Sequence, residues 1–244
     1  MPAKSERKPA SVPIHSIRFP GESAKYRAAR DKLLKAELDL RRDLERVAAL
    51  RRQLPQGGPV PQDYVFEEGS ADPADSESVH TVRMSELFVR PEASLVVYSF
   101  MYGPKMEKAC PMCTAMLDSL DGAAPHATQR INLVVVAKSP IQRIRAYARE
   151  RGWRNLRLLS SANNSYNRDY HGESDNGAQW PSLNVFTRDD GAIHHSSCTE
   201  LLFAASEPGQ DGRHVDLIWP LWNLLDFTPE GRGTDWRPKL EYAS

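Results

Sequence analysis

The chain has 244 residues, with 32 basic and 32 acidic side chains and a formal net charge of zero. That length buries a sizeable core in one domain, or in one domain with an extension, and the charge balance argues against nucleic acid or an anionic membrane held by bulk charge. No run approaches the ~18 apolar residues of a membrane span and the N-terminus has no apolar signal core, so a soluble, cytoplasmic chain without membrane contact is expected.

Residues 1–20 are rich in Pro, Lys and Ser and lack periodicity, which reads as a disordered tail. From Gly21 to Leu54 the pattern is helical and strongly charged. Tyr26, Leu33, Leu40, Val47 and Leu54 recur every seven residues, and Pro55 with Gly57-Gly58-Pro59 stops the pattern. Residues 21–56 are therefore a long N-terminal helix, about 50 Å in length at ~1.5 Å per residue. It either lies on its own domain or pairs with a second copy of the chain as a homodimer.

Residues 60–244 read as one α/β domain. Tyr64-Val-Phe66 is a strand candidate, Gly69 to Ser78 an acidic loop, and Val79-His-Thr-Val82 its return strand. Met84-Ser-Glu-Leu-Phe88 reads as a helical turn. Ser94-Leu-Val-Val-Tyr-Ser-Phe100 is a short apolar run, hence a buried strand. Tyr102-Gly-Pro104 is a loop, and after Cys110-Pro-Met-Cys113 the stretch from Met112 to Leu120 reads as the start of a helix. Ile131–Ala137 is the most apolar strand and is expected buried on both faces. Pro140 to Arg151 is a helix, and Arg157–Ser160 a strand. Ala162 to Gln179 is a loop with at most one turn. Leu183–Thr187, Asp189-Asp-Gly191 and Ala192–Ser196 form a hairpin signal. Arg213 to Leu225 is a final helix, followed after Pro229 by a polar tail. Strand, helix, strand and helix followed by a hairpin and a helix predict a three-layer α/β domain with a mixed sheet.

The chemistry-bearing feature is the cysteine pair at the strand-to-helix junction. A helix N-terminus presents unpaired N–H groups and partial positive charge, which stabilise a thiolate, the reactive form of cysteine. Cys113 falls about one turn after Cys110 on the same face, within disulfide reach. A first thiol that attacks a disulfide and a second that resolves the mixed disulfide need this spacing. Lys105 and Lys108 add positive potential expected to lower the Cys110 pKa. Three cysteines is an odd, small number and fits a reducing compartment, where cysteine is chemical rather than structural.

Two other readings compete. The pair is inert, or it binds zinc as part of a non-catalytic binding module. Zinc needs four ligands, and the only candidate second pair is His194 or His195 with Cys198, with His171 as a further option. Strand alternation sends His194 and His195 to opposite faces, so no metal is expected. Trp180-Pro181 precedes the Leu183 strand. A cis bond is open to it, though few X-Pro bonds are cis, and an ordinary trans proline at a strand entry is the alternative.

The element order, the CPxC turn and a proline before the later strand resemble a thioredoxin-like fold. Arg51-Arg-x-Leu-Pro55, Asp63-Tyr-Val-Phe66, Tyr98-Ser-Phe-Met-Tyr-Gly103, Cys110-Pro-Met-Cys113 and Asn223-Leu-Leu-Asp-Phe-Thr-Pro229 resemble a bacterial family of unknown function. That family is classed as predicted dithiol-disulfide oxidoreductases, and the similarity runs from roughly residue 24 to 232. The resemblance implies Cys110 as nucleophile, Cys113 as resolving thiol, no cofactor, and a disulfide-containing protein or small disulfide as substrate. It also implies a place for Pro181 as the cis-proline facing the cysteines, with the Trp180–Pro181 backbone meeting the substrate chain. Two departures matter. Thioredoxin proper has a Trp before its first cysteine, where this chain has Lys108-Ala109. Peroxiredoxins place Thr or Ser three residues before the reactive cysteine, where this chain has Glu107, and a carboxylate there repels a thiolate. Peroxide reduction is therefore the alternative rather than the leading expectation.

Overall fold

The structure is a computed structural model that describes residues 14–70, 75, 77–205, 208, 219–228 and 236–242. It divides into two compact units, residues 1–54 and residues 55–244. The first is dominated by α1, Ala24–Arg52, capped by the Ser23 side chain, which accepts from the Tyr26 N–H. No residue of α1 is buried, and Tyr26, Leu33, Leu40, Leu44 and Leu50 of its apolar stripe are exposed. Spaced charge pairs, Lys35 with Asp39 and Arg46 with Asp43, run along it and contribute a few tenths of a kcal/mol each.

In the second unit β3, Leu95–Phe100, is the central element. Its alternation divides the core in two. Tyr98 and Phe100 face one cluster with Met116, Leu117, Ile141, Ile144, Tyr147, Trp219 and Trp222, whereas Leu95 and Val97 face another with Tyr64, Phe66, Met84, Tyr166 and Phe186. β3 pairs in parallel with β4, Asn132–Ala137, and antiparallel with β6, Ser182–Asp189. β4 pairs in parallel with β5, Leu158–Ser160, and β6 pairs antiparallel with β7, Ala192–Cys198. β1, Val65–Gly69, and β2, Val79–Arg83, extend the far edge, so the order is β2-β1-β5-β4-β3-β6-β7. α2, Pro111–Ala127, connects β3 to β4, and α3, Ile141–Arg151, connects β4 to β5. Two parallel strands joined by a helix, with an antiparallel hairpin on the other side of the first, form the expected thioredoxin-like three-layer fold.

The local signals act as their chemistry dictates. The hairpin turn has positive φ at both Asp190 (45°) and Gly191 (83°), as the tight primed turn requires. α3 ends on Gly152 at φ 76°, the left-handed cap. The Ala162–Gln179 loop contains the single short turn α4, Tyr166–Asp169. Met84–Leu87 is one turn of 3-10 helix. The helix expected to start over Met112–Leu120 is α2, which runs on to Ala127 through Pro125. Pro125 cannot donate to the Asp121 carbonyl one turn back. The Asn155 side-chain amide donates there instead, at 3.1 Å. The expected final helix is seen as α5, Pro220–Leu225. Residues 213–218 of that expectation, residues 1–13 of the tail, residues 71–74 and 76 of the Gly69–Ser78 loop and residues 229–235 lie outside the described residues.

Asp121 ties α2 to the connection between α3 and β5. Its carboxylate accepts from the backbone N–H of Arg154 (3.0 Å), Asn155 (2.8 Å) and Leu156 (3.2 Å). Asp121→Ala keeps a good helix former but orphans three donors, so urea unfolding is expected to show a loss of about 1–3 kcal/mol, with the alkylation rate of Cys110 unchanged. An unaltered unfolding midpoint would contradict this role.

Candidate active site

Cys110 is the residue just before α2, with extended backbone (φ −63°, ψ 122°), and Pro111 is its first helical residue. Proline suits that position because its missing N–H has no intrahelical partner there anyway. The Cys110 sulfur turns back over the helix start and accepts from the Cys113 N–H at 3.5 Å. It occupies the place where a Ser or Asp would cap a helix. Cys113 is fully inside, 2% exposed, whereas Cys110 is part-exposed, and all three cysteines of the chain are free thiols.

One turn of helix gives the two thiols opposite acidities. The Cys113 S–H donates to the Cys110 sulfur, and the N–H groups of Cys113 and Met112 point at it, so Cys110 is lowered to about 6 despite its partial burial. Burial first, and then the proton-sharing with Cys110, push Cys113 well above its ordinary value. Lys105 and Lys108 are both exposed and are not among the groups that lower Cys110. The groups that lower Cys110 are the Cys113 thiol first and then the backbone amides of Cys113 and Met112.

Four further residues build the site and were not singled out by motif. Tyr98 on β3 is 0% exposed, lies beside the Cys113 thiol, and its hydroxyl has no other partner among the described residues. Burial, and next the adjacent Cys113, hold the Tyr98 phenol well above its usual range, so it stays a neutral donor. Alternation along β3 is the signal that places Tyr98 on the helix side. Thr114 donates its hydroxyl to the Cys110 carbonyl at 2.9 Å and pairs with the Tyr147 hydroxyl at 2.9 Å. Arg143 on α3 clamps the loop before the cysteines. It donates to the carbonyls of Gly103 (3.2 Å), Met106 and Glu107 (3.0 Å), and its guanidinium lies 4.3 Å from the Tyr102 ring centre. Nothing in the spacing connects Arg143 to a cysteine 33 positions away. Gln179 is buried against Gly103, where a Cβ would lie 2.8 Å from its Cγ.

Gln179 brings the following Trp180 and Pro181 to the cysteine loop. Pro181 is buried and enters β6, whose Ser182 is opposite Ser99 near the end of β3, while Trp180 is 44% exposed. The expected cis proline is corrected here: no peptide bond among the described residues is cis, and Trp180–Pro181 is trans. The Glu173–Gln179 bridge and the Trp180 N–H to Gly172 bond deliver the chain already extended into β6, so a trans link suffices. The histidines are engaged elsewhere. His194 bonds the Gly57 carbonyl at 3.1 Å and His195 the Asn184 side chain at 2.9 Å, and both belong to the hairpin edge. Among the described residues no three His, Cys, Asp or Glu side chains are grouped to hold a metal ion. Burial raises the Cys198 thiol, which leaves it a poor nucleophile. No described helix is long and apolar enough to cross a membrane.

Fold and site together define a thioredoxin-like protein whose paired free thiols cap the first helix of the fold. The chain belongs to the family described as bacterial protein of unknown function, DUF899, which it matches over residues 17–243. No curated protein matches it. Among solved structures it is similar to peroxidoxin BcpB from Mycobacterium tuberculosis, at 16% identity and TM-score 0.43, over 69% of this chain and 96% of that one. It is also similar to reduced Prx3 in complex with hydrogen peroxide from Vibrio vulnificus (12%, 0.44, 65% and 92%). A third is the Plasmodium falciparum antioxidant protein, a 1-Cys peroxiredoxin (11%, 0.49, 71% and 98%).

The Cys110 shift sets a pH dependence. A thiol whose folded pKa is lowered contributes stability that is present above the unfolded pKa and lost as pH falls through the folded one. Between about pH 9 and 6 the reduced protein is therefore expected to lose stability relative to Cys110→Ser, by at most ~1.4 kcal/mol per pH unit. Iodoacetamide labelling of Cys110 should show a midpoint near 6, with Cys113 unlabelled. Equal, slow labelling of both thiols in the native protein would refute the assignment.

Proposed function

We propose that the protein is a thiol-disulfide oxidoreductase acting on a disulfide-containing protein or small disulfide. The observation that carries the reading is the paired acidity at the start of α2: Cys110 lowered to about 6, and Cys113 buried one turn behind it and donating to it. The Cys110 thiolate attacks one sulfur of the substrate disulfide. A Cys110–substrate disulfide forms, and the first substrate sulfur leaves as a thiolate. Cys113 then gives up its proton and attacks the Cys110 sulfur. A Cys110–Cys113 disulfide forms and the second substrate thiolate leaves. The substrate gains two electrons and the pair loses two, and an external dithiol returns the pair to its starting state.

Surrounding residues divide the work. Tyr98 is a positioning residue whose O–H supports the Cys113 sulfur when it becomes anionic in a dry site. Arg143 keeps the 103–107 loop in place, and the exposed Trp180 ring beside Pro181 offers the substrate an apolar surface. The chemistry needs no cofactor. The peroxide-reducing alternative is disfavoured by Glu107, three residues before Cys110.

The test is turnover of a model disulfide with dithiothreitol as reductant. Cys110→Ser is expected to abolish it, and Cys113→Ser to accumulate a mixed disulfide visible by intact mass. Tyr98→Phe should leave Cys110 labelling unchanged and slow mixed-disulfide resolution by about tenfold, the effect of one charge-assisted hydrogen bond. Peroxide consumption that depends on Cys110, without disulfide turnover, would replace this reading by the alternative.

A further inference from the structure

A cavity of about 390 Å³ opens at the opposite end of the sheet from the cysteines. Cys110 lies beyond the C-terminal end of β3. The cavity lies at the N-terminal end of β5, between the last turn of α3 and the end of β1. Its size is within the roughly 300–1,000 Å³ of small-molecule sites. Four arginines line it, Arg145 and Arg149 on α3 with Arg154 and Arg157 after it, against one carboxylate among the described residues, that of Glu68, and Trp153 is among its apolar lining.

The chain's charges balance overall, so four arginines round one cavity are a local excess of positive charge. Arg27, Arg42, Arg46 and Arg151 each pair with a carboxylate. Glu68 is already taken by Arg157, in a fork with both contacts at 2.7 Å. The Asp121 carboxylate nearby is taken by backbone amides. Arg149 and Arg154 make no ion pair with any described residue. Arg145 is set into the wall and not out in solvent, because a Cβ on Gly69 would collide with its side chain. Two of the carbonyls at the end of α3 are already occupied. Gly152 and Trp153 donate their N–H groups to the Arg149 and Ala148 carbonyls. Guanidinium forks gathered round an apolar floor match an anion with two or more charges and a compact apolar body.

We propose that this cavity binds a small organic polyanion, its charged groups among the four arginines and its apolar part on Trp153. The site is separate from the cysteines, so its test does not depend on the redox reading. Isothermal titration of the full reduced chain with ATP as probe is expected to give saturable one-to-one binding. Inorganic pyrophosphate should bind more weakly, and adenosine not at all. Arg149→Ala with Arg154→Ala, both exposed positions, should weaken ATP by about tenfold or more, whereas Cys110→Ser should leave it unchanged. Citrate binding with the same loss in the double variant supports the proposal and assigns a polycarboxylate as the source of the anion. The proposal is overturned if ATP, pyrophosphate and citrate all fail to saturate. It is equally overturned if adenosine binds as well as ATP, or if the correctly folded double variant binds undiminished.

Discussion

The sulfur of Cys110 stands where a helix-capping oxygen would stand, and the rest of the site serves to keep it there. A thiolate at that position neutralises amide groups that have no partner within the helix. The arrangement works only if the chain leaving β3 returns to the α2 start at the correct height. The Cys110 N–H reaches back to the Met101 carbonyl at 3.1 Å, and the Ser139 N–H holds the Tyr102 carbonyl at 3.0 Å. Arg143 gathers the carbonyls between them, on a guanidinium fixed over the Tyr102 ring. One cation satisfying three carbonyls is an economical way to order a loop that has no ladder of its own.

A second constraint is the two-sidedness of β3. Its even residues, Tyr98 and Phe100, make the dry wall behind Cys113. Its odd residues, Leu95 and Val97, close the other core. Burial on the first face keeps Cys113 protonated, and a protonated neighbour is what lets Cys110 ionise early. The difference between two chemically identical side chains therefore arises from the depth of Cys113 in the core together with the helix-start amides that face Cys110.

Legibility from the sequence followed interaction range. The apolar run at Leu95–Phe100, the Asp-Gly turn at 190–191 and the Cys-Pro start of α2 declared themselves because strands, primed turns and helix starts depend on neighbours a few residues away. Pro125 inside α2 could not be read this way, since the Asn155 amide that makes it tolerable is thirty residues on. Lys105 and Lys108 were natural candidates to tune Cys110 because they are close in sequence. In space both are exposed, and the groups that lower Cys110 are the Cys113 thiol and the N–H groups of Cys113 and Met112. For Trp180-Pro181 the sequence placed the proline at a strand entry, and the structure settled it as trans through the bridge that precedes it.

The sequence by itself determined the order of elements and the α/β class, because periodicity and turn chemistry are local properties of the chain, and the resemblance of its motifs pointed to the thioredoxin-like class. Tertiary structure alone decided how deeply Cys113 is buried behind Cys110, which residues hold the loop, and that four arginines far from the cysteines line one cavity. Those outcomes depend on desolvation and on contacts between segments tens of residues apart, and neither is a function of sequence separation.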